Sequence, residues 1–146
     1  MSPPYSTPPS STPASAGSVL LVEDDHTLQD ALTRRLIRRG FDVTPVSHPR
    51  QALGAAAHHP YDVAIIDQLL PETNGIALMK LLRGCHGTLK VILLSGGGSD
   101  SPEDAAIAEG AFAHLKRRCR IHTLAGTVSD AMSHLGPDEP RGPTAC

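Results

Sequence analysis

Three uninterrupted apolar runs constrain this chain most: Ser18-Val-Leu-Leu-Val22, Val63-Ala-Ile-Ile66 and Val91-Ile-Leu-Leu94. None alternates with polar residues, so each reads as a strand covered on both faces. Phe41 to Val46 does alternate, but contains Pro45. Proline donates no ladder bond, which places that strand at a sheet edge. Phe112 to Leu115 reads as a fifth strand. Between the strands the spacing turns helical. Leu28, Ala31, Leu32, Leu36 and Ile37 share one face, and Gly40 stops that helix. Pro49 to His58 and Gly75 to Arg83 read as helices. Ser101-Pro102-Glu103-Asp104 has the cap, proline and acids of a helix start. Leu124, Val128, Ala131, Met132 and Leu135 mark a last helix, stopped by Gly136-Pro137. Five strands alternating with five helices predict an α/β fold, a five-stranded parallel sheet with helices on both faces.

The ends differ from this middle. Residues 1–17 are almost all Ser, Thr, Pro and Ala, with too little apolar surface to offset the entropy of ordering them. They are expected to form a flexible tail, and lack the pattern of a secretory signal. Residues 137–146 read as a second tail, leaving 18–136 as one domain. The formal net charge of −2 gives no global pull towards nucleic acid or acidic lipid. No apolar run reaches the length of a membrane span. Trp is absent, which argues against base-stacking platforms. Cys85, Cys119 and Cys146 form no even, tightly spaced framework, so a reducing cytoplasm is the expected compartment. No second pair accompanies Cys119 and His122, or Cys85 and His86, so zinc is not expected. Arg34, Arg35, Arg38 and Arg39 read as a solvated basic stripe.

In parallel α/β sheets, ligands bind beyond the carboxyl ends of the strands. There the sequence places Glu23-Asp24-Asp25, Asp67, Ser95 followed by Gly96-Gly97-Gly98, and Lys116-Arg117-Arg118. Carboxylates gathered in one crevice repel one another unless a cation lies among them. Mg²⁺ suits them, because it takes one or two carboxylates and keeps waters for a phosphate donor to displace. An aspartate beside it can act as a nucleophile and form an acyl phosphate. A hydroxyl and a fixed cation can hold the phosphoryl oxygens. Asp25 reads as a helix N-terminal residue rather than a ligand.

Val19-Leu-Leu-Val-Glu-Asp-Asp25 resembles the opening strand and acidic pair of the receiver domains of two-component response regulators. Asp67-Gln-Leu-Leu-Pro71-Glu-Thr-Asn-Gly75 resembles the segment carrying that family's phosphorylated aspartate. Val91-Ile-Leu-Leu-Ser95-Gly96 is similar to its switch strand, and Gly110-Ala111 with Leu115 to the approach to its fifth strand. The resemblance spans residues 18–135, essentially all of the domain. It implies a flavodoxin-like (βα)5 fold with strand order 2-1-3-4-5 and a phosphorelay function in which Asp67 accepts a phosphoryl group. It further implies Mg²⁺ held by Glu23, Asp24, Asp67 and the backbone carbonyl of Leu69. Ser95 would bind a phosphoryl oxygen, and His114 stands at the position of an aromatic switch residue. The implied partners are a histidine kinase or phosphotransfer protein and a downstream protein target, with no direct nucleic acid and no membrane. No output domain is written after Leu135, so a stand-alone receiver is expected.

One departure stands out. Receivers usually carry Lys-Pro where this chain has Arg117-Arg118. Lys116 stands one place earlier, where strand alternation points it away from the crevice. Arg117 keeps the charge, but is longer and planar. Two rival readings follow. One is a degenerate receiver, binding partners independently of phosphate. The other is a Mg²⁺-dependent aspartyl-phosphate phosphatase, disfavoured because the position two after Asp67 is Leu69, which is no acid or base.

Overall fold

The computed structural model describes residues 16–70, 72–96 and 110–133. The described elements are β1 (Ser18–Val22), α1 (His26–Arg38), β2 (Asp42–Val46), α2 (Pro49–His58), β3 (Val63–Asp67), α3 (Gly75–Cys85), β4 (Lys90–Ser95), β5 (Ala113–Lys116) and α4 (Ile121–Ser133). The expected tails beyond these bounds and the helix start at Ser101 lie outside the described residues, apart from Ala16 and Gly17.

The strands form one parallel sheet in the order β2-β1-β3-β4-β5, as the resemblance implied. Along β1, Val19 and Leu21 pack with α1 and α4, while Leu20 and Val22 pack with α2 and α3. All four are fully buried. Both faces of a central strand therefore lie in core, which is why its sequence has no polar alternation. β2 is an edge strand, and Pro45 sits in it opposite Leu21. A proline is tolerated there because an edge strand has one side without ladder partners.

Helix ends follow local chemistry. Asp25 caps α1, its Oδ1 accepting from the N–H groups of Thr27 and Leu28 at 3.1 and 3.2 Å. At the other end, Gly40 has φ +96°. Its N–H donates to Ile37 O, and that of Phe41 to Leu36 O, the paired bonds of a left-handed glycine stop. α4 begins at Ile121, earlier than the apolar spacing from Leu124 indicates, because His122 and Thr123 in its first turn are exposed.

Cys119 is a free thiol. No helix among the described residues is long and apolar enough to cross a membrane.

Candidate functional site

Parallel pairing aligns the carboxyl ends of neighbouring strands. Val22 lies across from Ile66, Asp67 from Leu94, and Ser95 from Lys116. Glu23, Asp67, Ser95 and Arg117 therefore meet at one rim of the sheet.

Glu23 is fully buried. Its Oε2 accepts the Asp25 N–H at 3.0 Å. Its backbone carbonyl accepts from Gln29 Nε2 at 2.9 Å, and the same amide nitrogen reaches Val46 O and Ser47 Oγ. Oε1 is buried without a hydrogen-bond partner. Burial, above all, lifts the Glu23 carboxyl to about 7. The Asp67 charge adds to the rise, while the Asp25 N–H and Arg117 oppose it.

Asp67 is also fully buried. Oδ1 accepts from Leu69 N–H at 3.2 Å, and Oδ2 from Arg117 Nη2 at 2.5 Å. Arg117 Nε stands 4.0 Å from Glu23 Oε1, itself buried and unpartnered. The Arg117 N–H donates to Ser95 O at 2.6 Å, fixing the start of the loop. Burial alone would lower the guanidinium pKa. The Asp67 hydrogen bond and the charges of Asp67, Glu23 and Asp24 outweigh it, so the group is held above its ordinary value. Arg117, not Lys116, is the cation at Asp67; Lys116 is exposed.

The donor set fits Mg²⁺. Glu23, Asp24 and Asp67 each offer an oxygen within 4.8 Å of the others, all hard ligands. Glu23 Oε1 has no hydrogen-bond partner among the described residues, and a buried acceptor without a hydrogen bond is costly unless something satisfies it.

The other residues singled out lie around this centre. Ser95 closes β4 and is half-buried. His114, in β5, is half-buried, and its Nε2 pairs with Gln68 Oε1 at 3.1 Å. Leu69 is 67% exposed and bridges to Asn74.

Three contributors escaped the sequence reading. Gln29 ties the ends of β1 and β2, Gln68 engages His114, and Asn74 caps α3 by accepting the Ala77 N–H at 2.9 Å. Only Asn74 carried a readable signal, a capping residue directly before a helix.

The backbone of Asp67 and Gln68 explains why a glycine stands at position 75. A Cβ there would lie 2.7 Å from Asp67 O and 2.9 Å from Gln68 Cα. Both are backbone atoms, so no side-chain rotation relieves the clash. Gly75→Ala is expected to cost about 1–3 kcal/mol, read as a lower urea midpoint at unchanged slope.

A pH dependence also follows. The folded Glu23 holds its proton up to about 7, against an ordinary value of 4.5. Between those values the folded state binds one proton more than the unfolded state, so stability falls as pH rises through that window. The full loss is at most about 3 kcal/mol. In chelator, Glu23→Gln is expected to flatten this slope in urea midpoints measured across the window. An unchanged slope would assign it elsewhere.

The comparisons with known proteins bear on the family and the fold. Residues 19–129 match the family of the response regulator receiver domain. The response regulator MprA of Mycolicibacterium vanbaalenii is 25% identical over 127 residues, covering 87% of this chain and 55% of MprA. The DNA-binding transcriptional regulator NtrC of Salmonella typhimurium is 30% identical over 118 residues, 81% of this chain and 25% of NtrC. The chain thus spans between a quarter and just over half the length of these relatives. Among solved structures, the receiver domain of the Francisella response regulator 1452 superposes with a TM-score of 0.75 at 26% identity, covering 82% of this chain and 99% of that one. A response regulator from Chloroflexus aurantiacus gives 0.75 at 27% identity, covering 81% and 98%. The family match over residues 19–129, on a five-stranded parallel sheet in the order β2-β1-β3-β4-β5, means that this chain belongs to the receiver-domain family of two-component response regulators.

Proposed function

We propose that Asp67 accepts a phosphoryl group from the phosphohistidine of a kinase or phosphotransfer protein, and that the resulting charge alters which protein the domain binds. The observation that carries this reading is the setting of Asp67: a fully buried carboxylate with an orphaned Glu23 oxygen and a guanidinium beside it. In the transfer, an Asp67 carboxylate oxygen attacks phosphorus. A P–O bond forms, the P–N bond to imidazole breaks, and the leaving nitrogen keeps the electron pair. Glu23, Asp24, Asp67 and the Leu69 carbonyl would hold Mg²⁺, which when bound supplies positive charge to the phosphoryl oxygens. The Ser95 hydroxyl donates to one of those oxygens, and the Arg117 guanidinium neutralises another. His114 and Gln68, hydrogen-bonded beside the acceptor, then sense the change. The output is protein–protein contact, made in the cytoplasm, without direct nucleic-acid binding.

Incubation with Mg²⁺ and acetyl phosphate, followed by intact-mass measurement, tests the reading. The expected result is a gain of one phosphoryl group, absent in chelator. No adduct at any Mg²⁺ concentration would contradict it. The Arg117–Asp67 contact favours a second reading, a degenerate receiver whose acceptor is permanently engaged by its own cation. The phosphatase reading loses ground because Leu69, two positions after Asp67, carries no proton-transfer group.

A further inference from the structure

Among the described residues, Arg117 is the one cation facing both buried carboxylates of the site. Its Nη2 is on Asp67 Oδ2 at 2.5 Å, and its Nε is 4.0 Å from Glu23 Oε1. Of the four carboxylate oxygens on these two residues, Asp67 Oδ1 and Glu23 Oε2 already accept backbone N–H groups. The remaining two are those that Arg117 addresses. We propose that the guanidinium and a divalent cation compete for these two oxygens, so that Arg117 is a latch that sets the metal affinity of the resting domain.

The proposal rests on the metal-assisted phosphoacceptor reading and adds a gate to it. Before a phosphoryl group lies between them, a divalent cation on these two oxygens would meet the guanidinium at contact, and like charges at contact disfavour each other. Arginine suits the latch because its planar fork presents nitrogens to two acids at once, whereas lysine offers one point charge. The side chain also has somewhere to go. It is 26% exposed and borders a groove of about 330 Å³ whose lining includes Asp25, Leu28, Leu32, Arg35, Gly96 and the exposed Arg118. Apart from its contacts with the two acids, the residue is held through its backbone, by the bond to Ser95 O. Cation binding then requires the side chain to leave the acids, and the affinity falls by the cost of that departure.

The test is titration of the full chain with Mg²⁺ by calorimetry, comparing the wild type with Arg117→Gln, Arg117→Lys and Arg118→Gln. Arg117→Gln is expected to bind at least about tenfold more tightly, and Arg117→Lys a few-fold more tightly. Arg118→Gln removes an exposed neighbouring charge and is expected to shift affinity less than about twofold, because exposed charges are screened. Equal or weaker binding by both Arg117 variants overturns the latch, as does an equal gain in Arg118→Gln, or no Mg²⁺ binding by any protein. Should Arg117→Gln fail to fold, Arg117→Lys keeps the charge and decides alone. Acetyl phosphate labelling of the same samples separates the two readings. Adduct without the affinity order sinks the latch and leaves Asp67 as acceptor. The affinity order without adduct leaves the latch and sinks the phosphoacceptor reading.

Discussion

Arg117→Ala is expected to destabilise the chelated protein by about 2–4 kcal/mol near pH 8. The variant leaves Glu23 and Asp67 fully buried, with no cation beside them. Removing one partner of a buried pair costs about 3–5 kcal/mol. Arg117 is 26% exposed, so solvent already screens part of the interaction and the lower figure applies. The penalty is expected to shrink towards pH 5, where Glu23, whose carboxyl titrates at about 7, takes a proton and relieves the repulsion. Added Mg²⁺ is expected to restore more stability to the variant than it gives the wild type, because a ligand stabilises in proportion to its affinity for the folded state. Urea midpoints at the two pH values, with and without Mg²⁺, check all three statements. A variant as stable as the wild type at pH 8 would mean that the ion pair contributes nothing net.

Asp67→Asn is expected to abolish phosphoryl acceptance entirely. Asparagine keeps the shape of the side chain, so Leu69 N–H still has an oxygen to bond, while the nucleophilic carboxylate is gone. The fold is expected to survive, since the strand packing of Ile65 and Ile66 is untouched and Glu23 remains to face Arg117. Circular dichroism confirms folding, and intact mass after acetyl phosphate treatment reads the loss. The same variant separates the two readings of the output. A phosphorylation-controlled domain loses its phosphate-dependent partner contact with Asp67→Asn. A degenerate receiver keeps all of its partner binding.

Most of the fold was legible because its strands are buried on both faces, and an unbroken apolar run reports that directly. β1, β3 and β4 lie where the runs of residues 18–22, 63–66 and 91–94 placed them, within one residue at either end. Pro45 located the edge strand through the bond it cannot make. β5 runs from Ala113 to Lys116, one residue later than expected. Phe112 still donates to Val91 O, but outside the ladder, and a four-residue strand offers too short a pattern to fix its register. Strand order is a matter of long-range pairing, which local periodicity does not encode; it came through the family resemblance.

At the site, the acids were legible from their places at strand ends, and Asp25 from its place before a helix. The second engagement of Arg117, towards Glu23, was not. It depends on how a flexible side chain crosses from β5 past β3 to the end of β1, which no spacing states. Gln29 and Gln68 were hidden for a similar reason. Each is an ordinary polar residue in sequence and becomes specific only through a partner distant along the chain.

The proposed function requires that the phosphoryl group form an acyl phosphate on Asp67. The most direct measurement treats the phosphorylated protein with borohydride, which reduces an aspartyl phosphate to homoserine, and locates the altered residue by peptide mass mapping. Conversion confined to the peptide containing Asp67, and dependent on Mg²⁺ and the phosphodonor, is the predicted result. Conversion at another aspartate, or none in a protein that carries the phosphoryl mass, would contradict it.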